Sequence, residues 1–238
     1  GREQPERAAF SAGQLAMVSA LLSTGIMALG LVLRQGILRL FFGAVEPPVM
    51  EAALTYFVIT ACSFPFLGIY NAGAALYRVL GRTSVTMYIS LGMNLINLLG
   101  DYIGVHVLQA GVAGVAVPTL LSRAFAAVVM TVLAFRPGKA VRLRWSHIFA
   151  WDAGEIRRLL HIAVPGGVVA LGKVLMVSIV SHFGTVQIAA NGVAGSIDQI
   201  AVMVVNAVNL AIVPVVGRCV GAGEEEQAQA YTKKLMGI

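Results

Sequence analysis

The chain has 238 residues, of which 58% are hydrophobic and 12% charged, with a formal net charge of +6. That charged share is far below the roughly 25% of a soluble domain, and with a mean hydropathy of +0.83 it excludes a water-soluble globular fold and places the chain in a membrane. Cys62 and Cys219 fall on separate apolar stretches, so no disulfide framework follows, and no metal-ligand spacing occurs.

In chain order, residues 11–33 and 52–77 contain no Asp, Glu, Lys or Arg, and each is near the roughly 20 residues that cross hydrocarbon as a helix. A third span covers 83–104 and is interrupted by Asp101. The fourth starts near Gln109 and continues past Arg123. Residues 159–181 form a fifth, with His161 and Lys173 inside it, and the sixth runs from about Gln187 to 217 with Asp198 inside it. A polar tail, 224–238, reads as the start of a seventh helix. No stretch alternates apolar and polar residues as a barrel wall requires. The expectation is an all-α, polytopic transmembrane helix bundle of six spanning helices plus the start of a seventh.

The long connection near 136–158 is basic and carries Trp145 and Trp151. It divides the chain into 1–136, with four spans, a linker at 137–154, and 155–238, with two spans and the start of a third. Asp152 and Glu155 have capping-box spacing, which starts a helix there. The loops with Arg78 and Arg82, with Arg136 to Arg158, and with Arg218, Lys233 and Lys234 share one side; basic residues are retained in the cytoplasm, so that side is inside. Topology and anionic lipid headgroups then account for the net charge without nucleic acid. The chain does not begin with Met and has no signal-peptide pattern, and GREQPERAAF at its start is echoed by GEEEQAQAYT near its end. Both read as an excerpt from a longer, duplicated transporter.

The polar residues inside the spans carry the functional question. Asn97 and Asp101 are four apart and share one helix face, and an ionised Asp at the membrane centre costs on the order of 2.5–3.5 kcal/mol on insertion scales. Counted from the turn near Leu108, Asn97 and Thr119 lie equally deep, roughly 16 Å at helical rise, with Asp101 nearer the outer side. Pro118 lacks the amide that would bond the Gly114 carbonyl. Carboxylate, amide, hydroxyl and carbonyl oxygens suit a hard cation. Lys173 and Asp198 form a second candidate, a buried ion pair or substrate contact. Arg123, one turn beyond Thr119, is expected to face protein or water and to bond Asn94 or carbonyl groups.

Several stretches, FLGIYNAGAALYRVLGRTS (66–84), NLINLLGDYIGVHVLQAGVAGVAVPTLLSR (94–123), PGGVVALGKVLMVSIVSHFGTVQIAANGVAGSI (165–197) and VVGRCVGAGEEEQAQAYTKKL (215–235), resemble the multidrug and toxic compound extrusion (MATE) family. The resemblance covers nearly all of the chain. It implies helices three to eight of twelve plus the start of the ninth, with the basic linker joining two lobes. It also implies export of organic, often cationic, compounds in exchange for Na⁺ or H⁺. Family members that bind the coupling ion in the first lobe use an aspartate on the first helix, an asparagine on the fourth, an Asn-x-x-x-Asp pair on the fifth and a threonine on the sixth. Asn71, Asn97, Asp101 and Thr119 stand at the positions present here.

The resulting reading is a secondary active multidrug antiporter, working by alternating access in the cell inner membrane. Its partners are the lipid bilayer and small organic substrates, with no nucleic acid; it is a monomer when complete, and it needs no cofactor beyond the coupling Na⁺ or H⁺. The alternative is a flippase of the related exporters of lipid-linked oligosaccharide or polysaccharide, which a cationic cavity would favour. An enzyme is not expected, because no Ser-His-Asp order, HExxH or P-loop is present.

Overall fold

The computed structural model describes residues 5–42, 47–135, 152–181 and 185–236. Among them the chain forms α1 (Pro5–Phe42), α2 (Pro47–Cys62), α3 (Phe64–Val79), α4 (Thr83–Tyr102), a π-helical turn (Ile103–Val107), α5 (Ala113–Phe135), α6 (Ala153–Ser181), α7 (Thr185–Ala222) and α8 (Glu225–Met236), and no strand. Every expected span is helical, and α8 is the start of the seventh. Most of the linker, with Trp145 and Trp151, lies outside the described residues. Asp152 does start α6: its Oδ1 accepts from the Gly154 amide at 2.8 Å, satisfying one of the orphan donors of the first turn.

α1 and α5 are each long and apolar enough to cross a bilayer. At 20 residues, α4 also reaches about 30 Å, although Asn94, Asn97 and Asp101 dilute its apolar surface. The second span is not one straight helix. It is broken at Ser63 into α2 and α3, bent by 40°. Pro65, in the first turn of α3, has no amide to return to the Ala61 carbonyl. Ser63 closes the break locally, its amide and its hydroxyl both donating to the Thr60 carbonyl, at 3.0 and 2.6 Å.

α3, α4 and α5 enclose a core of Ala74, Tyr77, Ile89, Ala126 and Met130, while α1 packs on α3 and on α6. The buried tyrosine is satisfied: its hydroxyl donates to the Leu133 carbonyl at 2.9 Å, tying the end of α3 to the end of α5. Large apolar side chains such as Leu98 and Leu121 are exposed, as they must be where lipid rather than water is the solvent.

The tightest contact joins α4 to α5. A Cβ at Gly100 would lie 2.5 Å from the Pro118 ring, and one at Gly104 or Gly114 would collide with the other glycine's backbone. Small residues four apart let spanning helices approach to backbone contact. The return between the two helices passes through the π-helical turn and through Gln109 and Gly111, both at positive φ. Gly104 completes it by accepting from the Ala110 amide at 3.0 Å.

Gly104→Ala should therefore be far more disruptive than Gly25→Ala, whose new Cβ meets nothing within 4 Å. We expect the first to cost on the order of 1–3 kcal/mol, and melting of the two variants in detergent will rank them.

Candidate functional site

Because α4 and α5 run antiparallel at backbone contact, side chains flanking the glycines meet across the seam. Asn97 Nδ2 donates to Thr119 Oγ1 at 3.1 Å, and Thr119 Oγ1 donates to the Val115 carbonyl at 3.0 Å. The threonine proton is thus committed along its own helix, as Thr does when it bonds i−4. The amide of Asn97 must turn its nitrogen toward Thr119, which leaves its oxygen free. One turn further on, Asp101 Oδ1 is buried and has no hydrogen-bond partner.

An orphaned carboxylate oxygen in a membrane bundle is costly unless a charge-compensating partner is supplied. The donor set of carboxylate, amide carbonyl and hydroxyl oxygens fits a hard cation. Three of the four residues expected to form the site are thereby brought to one seam. Asn71 is not. It sits on α3, exposed, and lines an open cavity of about 610 Å³ together with Tyr70, Arg78, Thr83, Ser90 and Ala207. The reason is helical pitch: the tie between Tyr77 and Leu133 aligns α3 with α5, and on that alignment Asn71 falls roughly two turns beyond Thr119, about 12 Å toward the end that carries Arg78.

Lys173 and Asp198 are both exposed, and no ion pair joins them, so the buried pair expected from the sequence does not form. Within this chain α6 and α7 present most of their described side chains outward, Lys173 and Asp198 among them. Cys62 and Cys219 are both free. Among the described residues no group of His, Cys, Asp or Glu could hold a metal ion.

Arg123 bonds neither Asn94 nor a backbone carbonyl. Its Nη1 donates to Ser63 Oγ at 2.6 Å, so it grips the break between α2 and α3, where Thr60 Oγ1 is also buried without a partner. The pairing was hidden in the sequence because Ser63 reads as one more small residue in an apolar run. The only cue was Pro65, two positions later.

These features define an all-α membrane protein with a polar seam inside an apolar bundle. The MatE family model matches residues 1–103 and 163–238, and the chain belongs to the MatE family of transporters. Among curated proteins, "Uncharacterized transporter YisQ" of Bacillus subtilis (strain 168) is 30% identical over 116 residues, covering 46% of this chain and 25% of its own length. "Probable multidrug resistance protein YpnP" of the same organism is 24% identical over 210 residues, covering 87% of this chain and 46% of its own. The crystal structure of MATE in the bent conformation superposes with a TM-score of 0.77 at 18% identity, over 96% of this chain and 56% of that one. MATE in complex with MaD3S gives 0.75 at 18%, over 93% and 55%. At that identity the likeness is one of fold. The chain spans less than half the length of these curated relatives and a little over half of the solved chains.

Thr119→Val removes the acceptor for Asn97 and should destabilise by about 0.6–1.7 kcal/mol, the range of interhelical hydrogen bonds in membranes. Thr119→Ser should recover most of it. Denaturant unfolding in mixed micelles measures both.

Proposed function

We propose that the protein of which this chain is part is a secondary active exporter of small organic compounds, driven by Na⁺ or H⁺. The cation occupies the α4–α5 seam. The observation that carries this reading is the buried, unpartnered Oδ1 of Asp101, one helical turn from an asparagine whose own oxygen the Thr119 bond leaves free. Asp101 supplies the charge, and Asn97 and Thr119 supply neutral oxygens and fix the helix face on which the charge stands. Asn71 has a different role: it belongs to the cavity between α3, α4 and α7, whose volume is in the range of small-molecule sites and which we assign to the path of the organic substrate. The membrane is the cell inner membrane, with the basic linker on its cytoplasmic face, as the distribution of Arg and Lys supports.

A second reading has one observation in its favour. Among the described residues lining that cavity the charged one is Arg78, and a cationic wall suits the anionic head of a lipid-linked carrier better than a cationic drug. The flippase reading therefore stands beside the efflux reading. The belt of lipid-facing apolar surface is common to both.

In the complete protein, Asp101→Asn should abolish cation-dependent dye efflux from energised vesicles while membrane expression stays near wild type. Full efflux by that variant, with its normal response to an imposed Na⁺ or H⁺ gradient, would remove Asp101 from the coupling site.

A further inference from the structure

Arg123 is a second charge inside the same bundle. Half-buried on α5, it has the Ser63 hydroxyl as its hydrogen-bond partner, and among the described residues no carboxylate forms an ion pair with it. A neutral donor would serve as well to hold Ser63, whereas a guanidinium in hydrocarbon is expensive. Its position relative to Asp101 gives the charge a use. Asn97 and Thr119 mark the level at which α4 and α5 cross. Asp101 lies one turn from that level in one direction and Arg123 one turn in the other, so the two are separated by eight residues of helical rise, about 12 Å. At that distance they cannot pair directly. Pro118 and Ser122 are buried at this seam.

We propose that Arg123 is a built-in counter-charge that sets the cation affinity of the Asp101 site. The inference rests on the reading of that site as the seat of the coupling cation. With the site empty, Asp101 and Arg123 are charges of opposite sign one turn either side of the Asn97–Thr119 level, and each offsets the other. With a cation bound, Asp101 is neutralised and Arg123 opposes the bound ion. The standing positive charge therefore weakens cation binding and favours release, as an exchanger that must unload on every cycle requires. The Ser63 hydroxyl satisfies one guanidinium donor, while the place of Arg123 on α5, one turn beyond Thr119, sets its distance from Asp101. Coulomb's law at about 12 Å with an effective dielectric near 20 makes the effect about tenfold in affinity.

Sodium binding to the purified complete protein, followed by titration calorimetry with NaCl at constant ionic strength, tests this. Arg123→Gln should tighten the Na⁺ dissociation constant about tenfold, and Arg123→Leu, which inserts more readily into lipid, should do the same should the glutamine variant fold poorly. Arg123→Lys retains the charge and should stay within threefold of wild type. Ser63→Ala keeps the charge and loses the hydrogen bond, and it should also stay close to wild type. Unchanged or weaker Na⁺ binding in the neutral variants would overturn the proposal, as would a Ser63→Ala shift as large as theirs, which would assign the effect to the bond. Should the wild-type protein show no Na⁺ binding that Asp101→Asn removes, the seam is not a sodium site and the counter-charge proposal falls, while the proton form of the coupling reading is left to the efflux test on Asp101→Asn.

Discussion

The structure depends on the approach of α4 to α5 at Gly100, Gly104, Gly114 and Pro118. In lipid there is no hydrophobic force between helices, so van der Waals contact and interhelical hydrogen bonds must hold them. Removing side chains from the seam gives both. Backbones come together, and the short polar groups of Asn97 and Thr119, which could not span a wider gap, meet at 3.1 Å. The site is thus a by-product of the packing. Any bulk added to the glycines would push apart the two helices whose polar groups cooperate.

The same seam explains why a carboxylate persists in so apolar a chain. Asp101 stands beside a bonded pair: the Thr119 proton goes to Val115, and one N–H of Asn97 goes to Thr119. The Asn97 carbonyl oxygen and the unpartnered Asp101 oxygen are left to attract a cation. Arg123 stands just beyond this set, close enough to be felt and too far to pair. Attraction and opposition are built onto two adjoining helices.

Much of this could be read from the residues. The helices follow from the apolar stretches because a bilayer admits almost no other backbone arrangement, and the Asn97–Asp101 face follows from a spacing of four. The equal depth of Asn97 and Thr119, counted from the turn near Leu108, agrees with the hydrogen bond that joins them. The failures share one cause, which is that sequence gives depth along a helix but not rotation about it or alignment between distant helices. Asn71 was assigned to the seam by likeness of pattern, and the pairing of Tyr77 with Leu133 moves it to another cavity. Lys173 and Asp198 have compatible depths and incompatible surroundings. Ser63 gave no sign of terminating a helix, because a break made by a proline two residues on leaves no polar signature of its own.

The break at Ser63 has a mechanical meaning. α3 is fastened to α5 at one end by the tyrosine hydroxyl, and α5 is fastened to α4 toward the other by touching glycines, so neither neighbour is free to slide past α5. The joint lies between these fixed points, and the arginine is its strap. Such a unit resembles a bow strung at both tips: it accommodates load by flexing at its grip, and whatever loosens the strap changes its stiffness before it changes its shape.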